Sequence, residues 1–594
     1  MKRFLVLVVL GIAAALAVWF GMRSGSPKIS STTVTALLPR ETLALLHVAD
    51  VREARAQWHQ SDIYKLWREP AVQAFLQKPL TRNPRTGETS AKLQQLEAIG
   101  ARDAFLAIVS WQEDRPQFVG GFRFNGNPDD VKRILPNLRE HAAQAEAQTY
   151  QQHQIEVIAE GGMSIATVYT DDWFFAANDM AALRALLDRV DGRVPDAAAT
   201  LRADENFAAA FKHMPRSYVA FAYGRLDEYL RKLAARTPRD GTAAGDTAGL
   251  GQVRSIAAAT GFEDGKVRDV LYLGMPKLPD QPDLARTSLS LATAESFLYA
   301  ASFAKVPEAQ GSADQQMAGF QGVVGRFLAG VAASGVTAED WRSAFGVELG
   351  IVGEWPPNAR IPSLLATLPV RDGAKARQIM RALTVGSGAE ETRWTLSDKG
   401  GVQYCFQAPS SPMVPVAATI AVSDQLLVAG SDPGVVETTM TRENAQTSGL
   451  GTAQLFKTAE RFVPAAKSAF VYVDTALLYT RLDAAVRPML VLAATFMPSI
   501  AETIELQKLP PAEVVTKHLS PLVLSQSYEG DGYVTESVGP VSIYYAGAGI
   551  AIAAGFGTEF YQAQFPAGTD VPDEADADAA ADLAPASPSP TPGP

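Results

Sequence analysis

The stretch VYTDDWFFAANDMAALRALL, from Val168 to Leu187, has a similar counterpart, IAVSDQLLVAGSDPGVVETTM, from Ile420 to Met440. Each stretch reads as an apolar strand, a polar turn, a second apolar strand and a capping residue that starts a helix. The polar turn is Thr170–Asp172 in the first stretch and Ser423–Asp424 in the second. The repeated order predicts that the chain contains two copies of one module.

Other landmarks recur in the same order, about 250 residues apart. The matching positions are Glu41 and Glu295, Phe207 and Phe456, Pro215 and Pro464, and the hairpin turns Asp264-Gly265 and Asp531-Gly532. Short turns join most of the strands, so we expect the α+β class, with mainly antiparallel sheet and helices packed on one face. The two related units are expected at residues 36–282 and 285–565. They either face each other across a groove or share one continuous sheet.

The N-terminus reads as a membrane anchor. Lys2 and Arg3 precede an uncharged run from Phe4 to Phe20, which as a helix would measure about 25 Å and fall near the lower limit for a membrane span. Trp19 and Met22 lie where a cleavage site would need small residues, which favours an uncleaved anchor over a signal peptide. We therefore expect an anchor and tether in residues 1–28, at the inner membrane, with the rest of the chain periplasmic or otherwise extracytoplasmic.

Composition narrows the classes of partner. The chain has 594 residues and a net charge of −11, with no basic stripe, so nucleic acid is not expected as a partner. Cys405 is the single cysteine, which excludes an internal disulfide. Residues 566–594 are rich in Ala, Asp and Pro, a composition typical of a disordered tail.

The start of the chain carries a resemblance to a known family. It lies in Leu37-Leu38-Pro39, Glu41-Thr42-Leu43, the run from Trp58 to Tyr64, and Glu69-Pro70-Ala71-Val72. These motifs, with Asp171–Leu187 and Glu205-Asn206-Phe207, resemble a family of membrane-anchored bacterial envelope proteins catalogued as domain of unknown function 3352. The resemblance covers about the first 280 residues well and the second half more loosely. It implies an extracytoplasmic location and no catalytic residue.

The sequence carries no motif for a metal, a nucleotide or a catalytic nucleophile. The six histidines are His47, His59, His141, His153, His213 and His518, and the closest pairs are twelve residues apart, which does not suit a metal site. The acidic pairs Asp171-Asp172 and Asp129-Asp130, with Asp179, fit turn and helix-capping roles better than acid–base catalysis. No catalytic, cofactor-binding or metal-binding residue is therefore assigned.

Two apolar features leave alternatives open. The aromatic residues Trp58, Tyr64, Trp67 and Phe75 fit core packing, or else an exposed stripe for lipid or a partner. The run from Arg481 to Ile500 favours a buried or groove-lining helix over a second membrane span, because it contains Arg487 and two prolines.

Together these patterns favour a non-enzymatic binding or scaffolding protein of the cell envelope. It would be held by one membrane helix and could bind envelope proteins, a peptide or a lipid. The alternative is a hydrolase or another enzyme with a site in the groove between the two units. A weaker possibility is a cleaved, secreted form.

Overall fold

The computed structural model describes most of the chain between Thr32 and Tyr544. The described residues are 32–81, 100–112, 115–125, 127–134, 145–160, 163–194, 197–227, 252–279, 281–303, 335–357, 359–385, 394–407, 417–442, 449–496 and 505–544. The expected anchor in residues 1–28, His141 and the tail from residue 566 lie outside them.

The described residues form both helices and one large antiparallel sheet, as the α+β prediction requires. The strands are β1 Ala44–Asp50, β2 Arg102–Gln112, β3 Arg115–Arg123, β4 Ala145–Tyr150, β5 His153–Glu160, β6 Met163–Tyr169, β7 Trp173–Ala177, β8 Ala220–Arg225, β9 Ser255–Glu263, β10 Lys266–Gly274, β11 Ser296–Phe303, β12 Glu348–Glu354, β13 Ser363–Pro369, β14 Trp394–Lys399, β15 Val402–Gln407, β16 Thr419–Val422, β17 Leu426–Gly430, β18 Ala469–Val473, β19 Leu522–Tyr528 and β20 Tyr533–Gly539. The helices are α1 Thr32–Leu37, α2 Val51–Gln60, α3 Asp62–Trp67, α4 Pro70–Thr81, α5 Pro128–Ile134, α6 Met180–Val190, α7 Glu205–Lys212, α8 Ala338–Ala344, α9 Gly373–Val385, α10 Pro433–Arg442, α11 Gln454–Glu460, α12 Thr475–Phe496 and α13 Ala512–Thr516.

By contacts, the described residues up to Ile543 belong to one compact unit, which contains all of these strands and helices.

The order of strand pairing repeats itself across the sheet. The order is β4-β5-β6-β7-β3-β2-β1-β8-β9-β10-β20-β19-β18-β11-β12-β13-β17-β16-β15-β14. Counted outward from the centre of the sheet, the strands from β10 to β4 have the same chain order as the strands from β20 to β14. We call residues 32–279 the first half and residues 281–544 the second half.

The halves meet where β10 pairs with β20, which we call the central seam. Seven residue pairs form the seam, from Val267 opposite Gly539 to Leu273 opposite Tyr533. The two halves therefore lie in one continuous sheet, which was one of the two arrangements that the sequence left open.

The last hairpin of each half, β9–β10 in the first and β19–β20 in the second, lies at the seam. In the first, Asp264 and Gly265 have φ values of 49° and 80°, the left-handed geometry that the Asp-Gly pair predicts. In the second, Gly530 has a φ of 89°. A methyl group on Gly532 would lie 2.4 Å from the carbonyl oxygen of Leu273 across the seam. The β19–β20 turn and β10 therefore approach each other more closely there than any larger residue would allow.

The helices lie on both faces of the sheet, and the expectation of a single covered face is wrong. Phe174 and Phe175 are neighbours in β7 and so point to opposite faces. Phe175 packs in a cluster with Leu183 of α6, whereas Phe174 packs with Val131 of α5. The physical reason is already in the strands: β7 has four buried residues in five, and β16 is buried at all four positions, a pattern typical of strands covered on both sides.

An outer strand of the sheet forms where composition favours a helix. Residues 145–150 form β4. The Ala, Glu and Gln of this segment favour a helix intrinsically. Pairing of β4 with β5 along six residues overrides that preference.

Candidate functional site

Three polar side chains from distant parts of the chain meet inside the first half. His47 lies in β1, Asp103 in β2 and Tyr218 just before β8, and β1 is the strand between the other two. Nδ1 of His47 lies 2.8 Å from the hydroxyl oxygen of Tyr218, and Nε2 lies 3.6 Å from Oδ1 of Asp103. His47 is 1% exposed and Asp103 5%, so both ionisable groups lie in the interior.

A β-bulge in β2 sets the direction of the Asp103 side chain. The register between β2 and β3 shifts between Arg102 and Phe105, and Asp103 has a φ of 46°. A bulge re-aims a side chain relative to the pleat, and the left-handed conformation costs a residue other than glycine about 1–2 kcal/mol, although Asp tolerates it better than most residues do. The contacts around Asp103 therefore hold it in a conformation that an isolated strand would not choose.

The chemistry of this cluster is that of a buried Tyr–His–Asp chain. Nε2 of His47 and Oδ1 of Asp103 have no hydrogen-bond partner among the described atoms, and 3.6 Å is longer than a hydrogen bond between them. Such a chain can hold or pass a proton. A substrate would reach these groups only after a rearrangement of the interior, because neither side chain is exposed.

His153, His213 and His518 also face carboxylates. Nε2 of His153 lies 3.0 Å from Oδ2 of Asp191, and Arg193 bonds the same carboxylate. This network fastens the β4–β5 hairpin to the C-terminal end of α6. Tyr150 strengthens the attachment, since its hydroxyl donates to Asp188, a residue of α6, over 3.0 Å.

Two further pairs join one half to the other. His213, which follows α7, lies with Nε2 2.9 Å from Oδ1 of Asp531 in the β19–β20 turn. His518, which follows α13, lies with Nε2 2.7 Å from Oε1 of Glu69 at the junction of α3 and α4. The ring of His59 stacks on that of Tyr64, with 4.2 Å between the ring centroids.

The acidic residues singled out in the sequence lie at turns and helix starts. Asp179 accepts a bond from the backbone N–H of Ala182 at the start of α6, and Asp172 pairs with Arg123 beside the β6–β7 turn. Asn127 caps α5 through the N–H of Asp129. Asp432 caps α10 as Asp179 caps α6.

The aromatic residues after the expected tether divide between the two interpretations. Trp58 is 6% exposed and packs edge-on against Phe262, whereas Tyr64, Trp67 and Phe75 are half-buried. Core packing therefore describes Trp58 and does not fully describe the other three.

The helix expected near Arg481 is present as α12, but its described side chains are not buried. Residues 475–490 are half-buried or exposed, and Met489 is 67% exposed. Arg487 bonds Asp483 one turn earlier and the backbone carbonyl of Pro510. In the described part of the chain, no helix is long and apolar enough to span a membrane.

Burial raises the pKa of the Cys405 thiol to about 11. The thiol is therefore protonated at neutral pH and poorly nucleophilic. Within the described residues, no group of three or more His, Cys, Asp or Glu side chains is arranged to hold a metal ion.

Sequence reasoning missed the histidine–carboxylate pairs. The partners are separated by 38 residues for His153 and Asp191, 318 for His213 and Asp531, and 449 for His518 and Glu69. No local spacing can signal such contacts, because they depend on which strands become neighbours. A correct strand order would have placed His47 beside its partners.

Comparisons with known proteins add little. No family model and no curated protein matches the chain. One solved structure, titled "Structure of crystal form I of TP0453", aligns with 43% of this chain and 81% of its own chain, at 8% sequence identity and a TM-score of 0.22. A likeness of this size supports no argument about fold or function.

Proposed function

We propose that the chain is a membrane-anchored, extracytoplasmic protein of the cell envelope with a non-enzymatic binding or scaffolding role. The observation that carries the proposal is the structural role of the polar side chains. The histidine–carboxylate pairs fasten one element to another, and the acids in turns and caps satisfy backbone N–H groups. These groups thereby support a broad sheet.

The location rests on the N-terminal run from Phe4 to Phe20 and on the resemblance to envelope proteins of unknown function. Lys2 and Arg3 would stay in the cytoplasm and the sheet would lie outside. Protease added to spheroplasts should degrade the sheet while a cytoplasmic marker survives. Full protection of the chain in intact spheroplasts would contradict the proposal, and N-terminal sequencing of the mature chain would separate the anchored form from a cleaved one.

We further propose that the two halves are diverged copies of one module, with the first in residues 36–282 and the second in residues 285–565. The repeated strand order supports this proposal, as do the matching caps Asp179 and Asp432. Residues 566–594 would then form a tail outside both copies.

The binding role predicts partners that can be captured. Crosslinking in intact cells, followed by purification of the chain, should enrich the same envelope protein, peptide or lipid in repeated experiments. A variant that lacks residues 1–28 and is exported by a cleavable signal is the matched control, because it separates partners of the sheet from neighbours of the anchor.

An enzyme remains the second candidate, and the His47–Asp103–Tyr218 cluster is the observation that favours it. In that case the interior would open to admit a substrate and His47 would act as the general base. A panel of ester, peptide and glycoside substrates should then show turnover that His47→Gln abolishes without loss of folding.

A further inference from the structure

Three helices lack the burial that the other helices have. Among the described side chains, α3, α4 and α12 are the helices without a buried residue, although all three carry many apolar side chains. Helix α6, by contrast, buries Leu183, Leu186 and Leu187. An amphipathic helix normally places its apolar face against the core, so these three helices leave apolar surface outside the core.

Ion pairs and hydrogen bonds join these helices into one surface. Glu69, between α3 and α4, pairs with Lys517, which follows α13. Helix α12 packs against α13, and Arg487 of α12 bonds the backbone carbonyl of Pro510. We call α3, α4, α12 and residues 505–518 the helical platform.

The platform exposes large apolar side chains. Met489 is 67% exposed and Leu482 44%, and their spacing of seven residues places them on the same side of α12. Tyr64 and Trp67 of α3 are half-buried. Rings of this kind, apolar with one polar group, favour the boundary between water and an apolar phase.

In most ion pairs of the platform the cation is more exposed than the carboxylate. The side chain of Lys65 is 53% exposed, against 22% for its partner Asp62. The pairs with this arrangement are Lys65–Asp62, Lys517–Glu69, Arg487–Asp483 and Lys508–Glu505. Arg481 of α12 is the exception, since its partner Glu295 is the more exposed of the two.

The opposite arrangement occurs in ion pairs outside the platform. Asp129 is more exposed than its partner Lys132, and Asp424 is more exposed than Arg377. The outward cations are thus not a general property of this protein. An anionic surface that approaches the platform would meet cations before carboxylates.

The platform is also basic within an acidic chain. Residues 62–81, 475–496 and 505–518 hold seven Lys or Arg against five Asp or Glu, whereas the whole chain holds 53 against 64. An anionic surface therefore attracts the platform and repels the rest of the protein, which favours the orientation in which the platform faces that surface.

The proposed anchor would keep the platform close to a membrane. Residues 21–31 separate the end of the apolar run, Phe20, from α1, and a fully extended chain of that length spans about 40 Å. The sheet would therefore stay near the bilayer at a high effective concentration, at which weak contacts are sufficient for docking.

We propose that the helical platform is a membrane-contact surface that docks on anionic lipid of the bilayer in which the anchor is held. This inference rests on the proposed membrane anchoring. Leu482 and Met489 enter the apolar boundary of the leaflet, as the apolar face of an interfacial helix does. Lys65 and Lys508 bind the lipid phosphates from the rim of the platform.

The test places a fluorescent reporter on the platform of the full-length chain, reconstituted through its anchor into vesicles. The reporter is attached at Met489→Cys, or at Glu339→Cys in α8 for comparison, which is also an exposed position. Native Cys405 is 1% exposed and remains unlabelled. The vesicles contain phosphatidylglycerol with phosphatidylcholine, or phosphatidylcholine alone, and part of the lipid carries a nitroxide quencher on an acyl chain.

The reporter at Met489→Cys should be strongly quenched in the anionic vesicles and weakly in the neutral ones. The reporter at Glu339→Cys should be weakly quenched in both. Lys65→Gln with Lys508→Gln should lower the docking equilibrium about fivefold for each lysine removed, as expected for cations at an anionic membrane. The matched control is Lys132→Gln with Lys399→Gln, which removes two lysines outside the platform and should leave quenching unchanged.

A second pair of variants tests the apolar contact. Leu482→Gln should reduce quenching at Met489→Cys, because a polar amide at that position opposes entry into the leaflet. Leu455→Gln in α11 is its control, since Leu455 is similarly exposed, at 48%, and lies outside the platform. Equal effects of the two variants would contradict the proposal.

Flotation of the same vesicles separates this inference from the anchoring on which it rests. A chain that floats with the vesicles but shows no quenching at Met489→Cys overturns the platform contact and leaves the anchoring in place. A chain that does not float overturns both. Equal quenching in neutral and anionic vesicles would overturn the role given to the lysines.

Another occupant of the platform gives a different result. A reporter at Met489→Cys that is shielded from water in detergent, and unquenched in vesicles, would place a second copy of the chain on the platform. That outcome also overturns the contact with lipid.

Discussion

Among single residues, this protein places ionisable side chains in its interior, next to groups that lie far away along the chain. His47, 1% exposed, faces Asp103, which a bulge turns toward it. Removing one member of such a pair leaves the other buried without compensation, which costs more than the pair contributes when intact. Stability measurements on single substitutions can therefore show how strongly each buried group depends on its partner.

Asp103→Ala should lower the free energy of unfolding by about 1–3 kcal/mol, because His47 loses its buried partner. Asp103→Asn should cost less, since Asn also tolerates the left-handed conformation seen at φ 46°. Asp103→Val should cost most, because a β-branched residue is strained there. Urea unfolding measures all three. An order in which Val is the mildest change would contradict the role given to the bulge.

Gly532→Ala should destabilise the seam by about 1–3 kcal/mol, the usual cost of overpacking. The new methyl group would meet the Leu273 carbonyl oxygen at 2.4 Å and the Tyr272 ring at 2.7 Å. Gly434→Ala in the first turn of α10 is the control, because its nearest contact is Asp432 Oδ1 at 3.3 Å. Equal unfolding midpoints for the two variants would show that the seam can accommodate the methyl group.

At the scale of elements, the sequence predicted what local physics decides. The Asp-Gly turn between β9 and β10 and the cap of α6 follow from backbone preferences of a few residues. Edge strand β4 forms against the helix propensity of its residues, because its pairing with β5 overrides that propensity. The packing of helices on both faces was missed, although the continuous burial of β7 and β16 follows from apolar runs visible in the sequence.

Asp179→Ala should cost about 1 kcal/mol of stability, because α6 loses the oxygen that accepts from the Ala182 N–H. Asp432→Ala should cost a similar amount at α10, as matching caps require. Asp179→Asn keeps an accepting oxygen and should stay near the unsubstituted value. Thermal unfolding followed by circular dichroism measures the series, and a large loss of stability in the Asn variant would argue that the charge of Asp179 has another role.

At the scale of the whole molecule, ion pairs between the halves tie stability to pH. Hydrogen bonds from Lys517 and His518 lower the pKa of Glu69. Burial would raise the pKa of Asp531, but the bond from His213 and the charges of His213 and Lys212 outweigh it, so the net shift is downward. A carboxyl whose pKa is lower in the folded state stabilises the fold above its unfolded pKa, and that contribution disappears as the pH falls through the folded pKa.

Acidification below about pH 4.5 should therefore weaken the protein progressively, and the doubly substituted variant Glu69→Gln with Asp531→Asn should lose stability less steeply there. At neutral pH the same variant should be less stable than the unsubstituted chain. Urea midpoints measured from about pH 3 to about pH 7 would show both effects. Parallel curves for the two proteins would mean that other carboxylates govern acid unfolding.

The repeated strand order has one more consequence, for a polypeptide that contains only one such half. Its tenth strand would lie at a border of the sheet, with a row of backbone donors and acceptors facing water. Under the proposed duplication, a single-repeat ancestor would have been prone to associate with its twin through that border, in the manner of a symmetric homodimer. Fusion into one chain would make this association intramolecular and allow each border residue to diverge from its former equivalent.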